Sequence, residues 1–277
     1  MKKPSQENFP IAGFLFSRTY RQIIMHYYHF ARYCDDIADS PTLSAKEKLN
    51  RLTLVENALF GKSDLSCATL LREDFLAENL DFSLATDLLI AFRRDAENVS
   101  YQTWAQLLDY CRYSAAPVGR FMLALYNENP STYLPATALC TVLQLINHLQ
   151  DLHHDVTLLN RSYLPEDLLH KYKVSKKVLF APHCSKSLHF LLNDILKRCR
   201  DLMKDARILP AIVKNRRLKI YICITLSLTD ILINKLYNAD VLAKYITLSK
   251  FDRLRAAIKG LWLTAITKHK TLTDKGL

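Results

Sequence analysis

The stretch IIMHYYHFARYCDDIAD (residues 23–39) repeats apolar and aromatic side chains at helical spacing and closes on paired acids. Ser40-Pro41 follows as a stop signal. On a helix Asp35 and Asp39 share a face, and like charges at that spacing cost roughly 0.2–0.5 kcal/mol. They also lie toward the helix C-terminus, where the macrodipole disfavours anions. A Mg²⁺ ion offsets both penalties, because it takes hard oxygen ligands and bridges to phosphate oxygens. A solvated acidic face is the alternative. Against it stand the aromatic neighbours Tyr27, Tyr28 and Phe30, which make the helix otherwise greasy.

A second stretch, QLINHLQDLHHD (residues 144–155), repeats the device within a predicted helix from Thr132 to Leu159. Gln144, Asn147, Asp151 and Asp155 fall three, four and four apart, as one polar stripe in an apolar helix. Such a stripe lines a cavity. Two DxxxD pairs facing each other could hold a cluster of about two or three Mg²⁺ ions around a diphosphate. That cluster would neutralise the leaving group as its C–O bond ionises. His153 and His154 point about 100° apart, so they cannot both face the cluster. His148 lies nearer the stripe, and a neutral, hydrogen-bonded histidine is favoured there over a metal ligand.

The rest of the 277-residue chain reads the same way. Helices are expected over 44–60 (capped by Ser44, ended by Gly61), 65–78, 81–99, 102–125 with a break at Pro117, 185–206, 211–237 and 250–270. Asn127 to Pro130 is a loop, Ser162 to Pro165 a turn, and a short helix runs to Tyr172. Only 5 glycines occur, far below the usual share of roughly 7%. Sandwiches, Rossmann sheets and P-loops, which need glycine at turns and phosphate loops, are disfavoured. The expectation is an all-α chain, residues 1–277 forming a single domain.

The 38 basic and 27 acidic residues leave a net charge of +11. That suits diphosphate, an anionic membrane face or nucleic acid. No nucleic-acid motif accompanies the charge, so no nucleic-acid partner is expected. Seven scattered cysteines without a CxxC pair predict neither disulfides nor a zinc ribbon, and a reducing compartment. No signal peptide is read at the N-terminus. The longest greasy run, Ile220–Ile233, contains Thr225, Ser227, Thr229 and Asp230 and is too short to span a bilayer.

These motifs resemble the trans-isoprenyl diphosphate synthases, specifically the squalene/phytoene synthase family. FARYCDDIAD (residues 30–39) resembles that family's aspartate-rich motif, including Arg32. QLINHLQDLHHD resembles its second motif. Asn8-Phe9-Pro10 matches a segment beside the substrate, and Asn160-Arg161-Ser162-Tyr163-Leu164-Pro165 matches an arginine and tyrosine after the second motif. The resemblance implies an all-α isoprenoid-synthase bundle around a central cavity. It implies Asp35, Asp36, Asp39, Asn147, Asp151 and Asp155 as metal ligands, with Asp35, Asp39, Asp151 and Asp155 catalytic. Phe9, Arg32, Arg112, Gln144, Asn147, Arg161 and Tyr163 would contact substrate. Taken alone, Arg32 could equally pair with Asp35 or Asp36, and Arg161 could be an ordinary surface arginine.

Within the family, ENFP (7–10), FRRDAENVSYQTWAQLLDYCRYSAAPVGR (92–120), Gln150 and Arg112 resemble the hopanoid-pathway hydroxysqualene synthases, called HpnC. That branch is understood to ionise presqualene diphosphate and quench the cation with water, so NADPH is not expected. The alternative within the family is condensation of two farnesyl or geranylgeranyl diphosphates to presqualene diphosphate, squalene or phytoene. Near the C-terminus relatives tend to show a tyrosine, Asp-Val and an arginine. Here the tyrosine is lost or shifted to Tyr237, Ala239 precedes Asp240-Val241, and Lys244 or Tyr245 replaces the arginine. This leaves open a non-catalytic relative acting as an assembly factor or lipid-binding scaffold. A prenyl diphosphate substrate and lipophilic product imply a cytoplasmic protein peripheral to the inner membrane face, with Lys214, Arg216, Arg217 and Lys219 as a contact and a partner synthase of the same pathway.

Overall fold

Ser17 accepts a hydrogen bond from the Tyr20 N–H and so starts the first helix, α1 (Arg18–Ala38), five residues before the apolar pattern announced it. The structure is a computed structural model that describes residues 15–267. Phe9 and its neighbours Asn8 and Pro10 therefore lie outside the described residues. α1 buries Ile23, Ile24, Tyr27, Phe30, Cys34 and Ile37, the stripe its sequence laid out.

Next come α2 (Ala45–Leu59), α3 (Ser66–Ala77) and α4 (Ser83–Ala96). α2 opens with a complete capping box between Ser44 and Glu47. α5 (Trp104–Ser114) and α6 (Ala116–Leu125) divide at Ala115, with Pro117 at the second position of α6, where its missing N–H costs nothing. α7 (Tyr133–Gln150) and α8 (Leu152–Leu159) follow, then α9 (Glu166–Lys171), α10 (Lys186–Ala206), α11 (Leu209–Ile212), α12 (Arg216–Leu236) and α13 (Lys250–Ile266). No strand occurs among the described residues.

Two expected helices are divided. The Thr132–Leu159 span is interrupted at Asp151, whose φ of −89° and ψ of 0° leave the helical region. The 211–237 span starts inside the one-turn α11 and continues as α12, which Asn215 caps by accepting from the N–H groups of Arg217 and Leu218.

A chain poor in glycine still has to end its helices. Asn79, Asn98, Asn127, Asn160 and Asn238 all adopt positive φ, in the left-handed region that most side chains avoid. At Asn79, Asn98 and Asn127 the paired closing bonds of a Schellman turn are formed, such as Leu80 N to Phe75 O at 2.8 Å. Asparagine thus takes the role that glycine plays elsewhere.

α7 is the central helix. It packs against α10, α6, α5 and α12, while α1 packs against α2, α3 and α4. Buried residues from Phe16 to Ala256 form one connected apolar core. None of the seven cysteines is paired. No described helix is long and apolar enough to cross a membrane. Lys219, expected on a basic outer surface, is instead buried, because it lies on the inward face of α12; Lys214, Arg216 and Arg217 remain exposed.

Candidate active site

The C-terminal end of α1 and the α7–α8 junction supply the carboxylates. Arg32 sits one turn before Asp35 and Asp36 and bonds both, Nη1 to Asp35 at 2.5 Å and Nη2 to Asp36 at 3.1 Å. The guanidinium does not fully relieve the crowding. Burial, and after it the Asp39 charge, pushes the Asp35 carboxyl up to about 8 although about 30% of its side chain meets solvent. In the second patch burial, and after it the Asp151 charge, pushes Asp155 up to about 7.

Arg161 joins the two patches. Asn160 adopts the left-handed conformation at the end of α8. The Asp155 carbonyl then accepts from the N–H groups of both Asn160 and Arg161. From there the Arg161 side chain reaches Asp39 with Nη2 at 2.8 Å. The Asp39 charge is also felt at Asp155. Arg161 is only 7% exposed, so the reading of it as a surface arginine is corrected: the αL turn points it inward.

Behind Arg161 lies a network that sequence reasoning missed. Asp95 of α4 accepts from the Tyr163 and Tyr110 hydroxyls, both at 2.7 Å, and its nearest Arg161 nitrogen is 3.6 Å away. Arg161 Nη1 donates to the Tyr163 hydroxyl at 2.9 Å. Burial drives the Asp95 carboxyl up to about 6 against the opposing pull of Arg161 and the two phenols. A signal was available. Leu84, Leu88, Ala91 and Asp95 form the buried stripe of α4, and an acid on such a stripe requires partners.

His148 stacks on the Tyr163 ring at 3.7 Å between centroids. Burial, with the nearby Arg161 charge, drops its pKa to about 3, so it is neutral. Its Nε2 has no hydrogen-bond partner, which corrects the hydrogen-bonded expectation for that atom. An apolar void of about 10 Å³ beside it holds at most one water. His154 is exposed, with Nδ1 3.5 Å from Asp155.

Gln144 and Asn147 are half-buried on α7, and the Asn147 carbonyl accepts the Asp151 N–H at 2.8 Å. Arg112 is not gathered with these residues. It is exposed on α5, 5.7 Å over the Tyr113 ring, and Asp87 is the carboxylate that feels its charge. The altered C-terminal segment runs past the end of α7, where Gln150, beside Asp151, donates from Nε2 to the Ile246 carbonyl at 2.5 Å. Asp240 accepts from the N–H groups of Cys184 and Ala243, Tyr237 lies under Arg200, and Lys244 and Tyr245 are exposed.

The donor set tests what could be held here. Both patches offer carboxylate oxygens, two of the carboxyls raised by burial and mutual repulsion even beside Arg32 and Arg161, and hard oxygen donors suit a hard divalent ion. Among the described residues no three acidic, histidine or cysteine side chains form a ready cage. A divalent ion at either patch would need water or phosphate oxygens to complete its shell.

Comparison with known proteins identifies relatives of the whole chain. A family model described as squalene/phytoene synthase matches residues 2–254. A hydroxysqualene synthase of Zymomonas mobilis is 36% identical over 259 residues, 92% of this chain and 87% of that one. Another from Sinorhizobium fredii is 36% identical over 277 residues, 97% of this chain and 95% of its own. Among solved structures, squalene synthase HpnC from Alicyclobacillus acidocaldarius superposes with a TM-score of 0.71 at 27% identity, over 85% of this chain and 91% of that one.

Proposed function

The chain belongs to the squalene/phytoene synthase family and is an enzyme of that family; from this premise we propose that it ionises presqualene diphosphate and captures the rearranged cation with water, releasing hydroxysqualene. The observation that carries the reading is the meeting of the two patches at Arg161, whose side chain holds Asp39 while the Asp155 carboxyl feels the charges of both Arg161 and Asp39. The choice of product is supported by the names of the relatives matched over most of the chain.

Asp35, Asp36, Asp39, Asp151 and Asp155, with Asn147, would hold Mg²⁺, which when bound supplies positive charge to the departing diphosphate. Arg32 and Arg161 stand beside these acids, and guanidinium matches phosphate oxygens bidentately. The ester C–O bond breaks with its electron pair leaving on the diphosphate. The cyclopropylcarbinyl cation rearranges, water oxygen forms the new C–O bond, and its proton departs. No hydride enters, so NADPH has no part. Gln144 and, from outside the described residues, Phe9 would contact the substrate beside the acids, and Tyr163 would hold Arg161 in place; Arg112 is not gathered with them. Substrate and product are greasy, and peripheral attachment to the inner membrane face, with a partner synthase supplying the diphosphate, follows from that chemistry.

Purified protein given presqualene diphosphate and Mg²⁺ should release diphosphate and hydroxysqualene without NADPH. Asp35→Ala and Asp151→Ala should each slow release about a hundredfold or more. Wild-type rates in both variants would sink the assigned roles. Consumption of farnesyl or geranylgeranyl diphosphate in place of presqualene diphosphate would identify a condensing synthase.

A further inference from the structure

α13 is built inside out. At 100° per residue, its buried positions Ala256 and Gly260 mark one side of the helix, and they are small. A Cβ at Gly260 would lie 2.8 Å from the Ile224 backbone, so α13 packs backbone to backbone on α12. Its large apolar residues are centred on the opposite side and face outward. Phe251 is 84% exposed, Ile258 61% and Trp262 59%, with Leu254, Leu261 and Ile266 beside them. A continuous apolar stripe of this size on an outer helix marks a docking surface.

The charges choose the occupant. Arg255 and Lys259 run along one flank of the stripe, Lys259 with Nζ 3.4 Å from Asp230, and Lys250 and Arg253 lie toward the other, all exposed. The helix's one acid, Asp252, is already bonded to Lys235 and to Ser249. Lys235 pairs with Asp252 while Gly260 meets Ile224, so α12 and α13 run antiparallel. The C-terminal end of α13 therefore lies toward the exposed Arg216 and Arg217. A second copy docked on this face would set these basic flanks against each other. An anionic lipid surface would complement them, with Trp262 and Phe251 at headgroup depth.

We propose that the outward face of α13 is the membrane-docking surface of this protein, taking an anionic bilayer by insertion of Phe251, Ile258 and Trp262 between basic flanks. This deepens the peripheral attachment proposed above and relocates it from the Lys214–Lys219 segment alone to α13. Docking here would leave the carboxylate patches free, since α13 is not among the helices that supply them.

The test uses the full chain and vesicles of phosphatidylcholine, alone or mixed with phosphatidylglycerol. Wild type should bind the mixed vesicles in a salt-sensitive way and shift its tryptophan emission to the blue. Phe251→Ser with Trp262→Ser should weaken binding about tenfold or more, and Trp262→Phe should abolish most of the emission shift while leaving Trp104 as a control. Both substitutions sit on the surface, and unchanged circular dichroism would confirm that they fold. Diphosphate release from detergent-dispersed substrate should be unaffected by either. Binding of the double variant equal to wild type would overturn the proposal. So would a wild-type dimer that the double variant converts to monomer with no vesicle binding by either. Vesicle binding without diphosphate release would leave the docking surface standing and remove the catalytic reading; release without binding would do the reverse.

Discussion

At Asp95 a carboxylate with 7% of its side chain exposed accepts from two phenols, Tyr110 on the next helix and Tyr163 much later in the chain, and faces the Arg161 guanidinium. Asparagine there would remove the charge and one acceptor oxygen, leaving a buried hydroxyl or the guanidinium short of a partner. Asp95→Asn is expected to lower the unfolding free energy by about 1–3 kcal/mol, read by urea denaturation. An unchanged midpoint would mean that the network contributes nothing. The ambiguity left at Arg161 has the same origin. Its neighbours in sequence, Asn160 and Ser162, are compatible with a surface turn, and only the folded position of Asp39, 122 residues earlier, makes it a bridge. Arg32 was different. Its partners Asp35 and Asp36 lie one turn ahead, so its ion pairs were legible from spacing.

At the scale of elements, helical periodicity located nearly every helix; the cap read at Ser44 is present, and the cap at Ser17 explains the start that periodicity missed. Ser17 and Ser44 act through local hydrogen bonds that a three-residue window can show. The interruption at Asp151 is another matter, because nothing in LQDLHH breaks a helix by propensity. The asparagine-ended helices give a direct test. Asn127 is exposed and holds φ at 51°. Asn127→Ala should cost about 1 kcal/mol in chemical denaturation, while Asn127→Gly should be close to neutral. Equal effects of the two would show that the left-handed turn is not what asparagine supplies there.

For the molecule as a whole, the raised carboxylates tie stability to pH and to cations. An acid whose pKa is higher folded than unfolded holds extra protons in the native state, so stability falls as pH rises toward the folded value. Asp35 near 8 and Asp155 near 7 act in this sense. His148, lowered to about 3, acts oppositely, but its contribution is complete above its unfolded pKa of about 6.5. Between about pH 6.5 and 8 the cation-free protein should therefore lose stability on the order of 1 kcal/mol. Mg²⁺ should raise the Tm more at pH 8 than at pH 6.5, because proton and cation compete for the same oxygens. Calorimetry in EDTA and in MgCl₂ at the two values checks this; an equal shift at both would detach the cation from these acids.

The amino-acid sequence by itself determined the all-α class, the positions of most helices and the two acidic pairs, since periodicity, caps and DxxxD spacing are local properties of a chain. The tertiary structure alone decided that Arg161 joins those pairs, that Asp95 underpins it, that Lys219 turns inward and that α13 turns its largest side chains outward. Each of these depends on which distant segment lies opposite, and helix packing settles that through contacts such as Gly260 against Ile224, which no local spacing records.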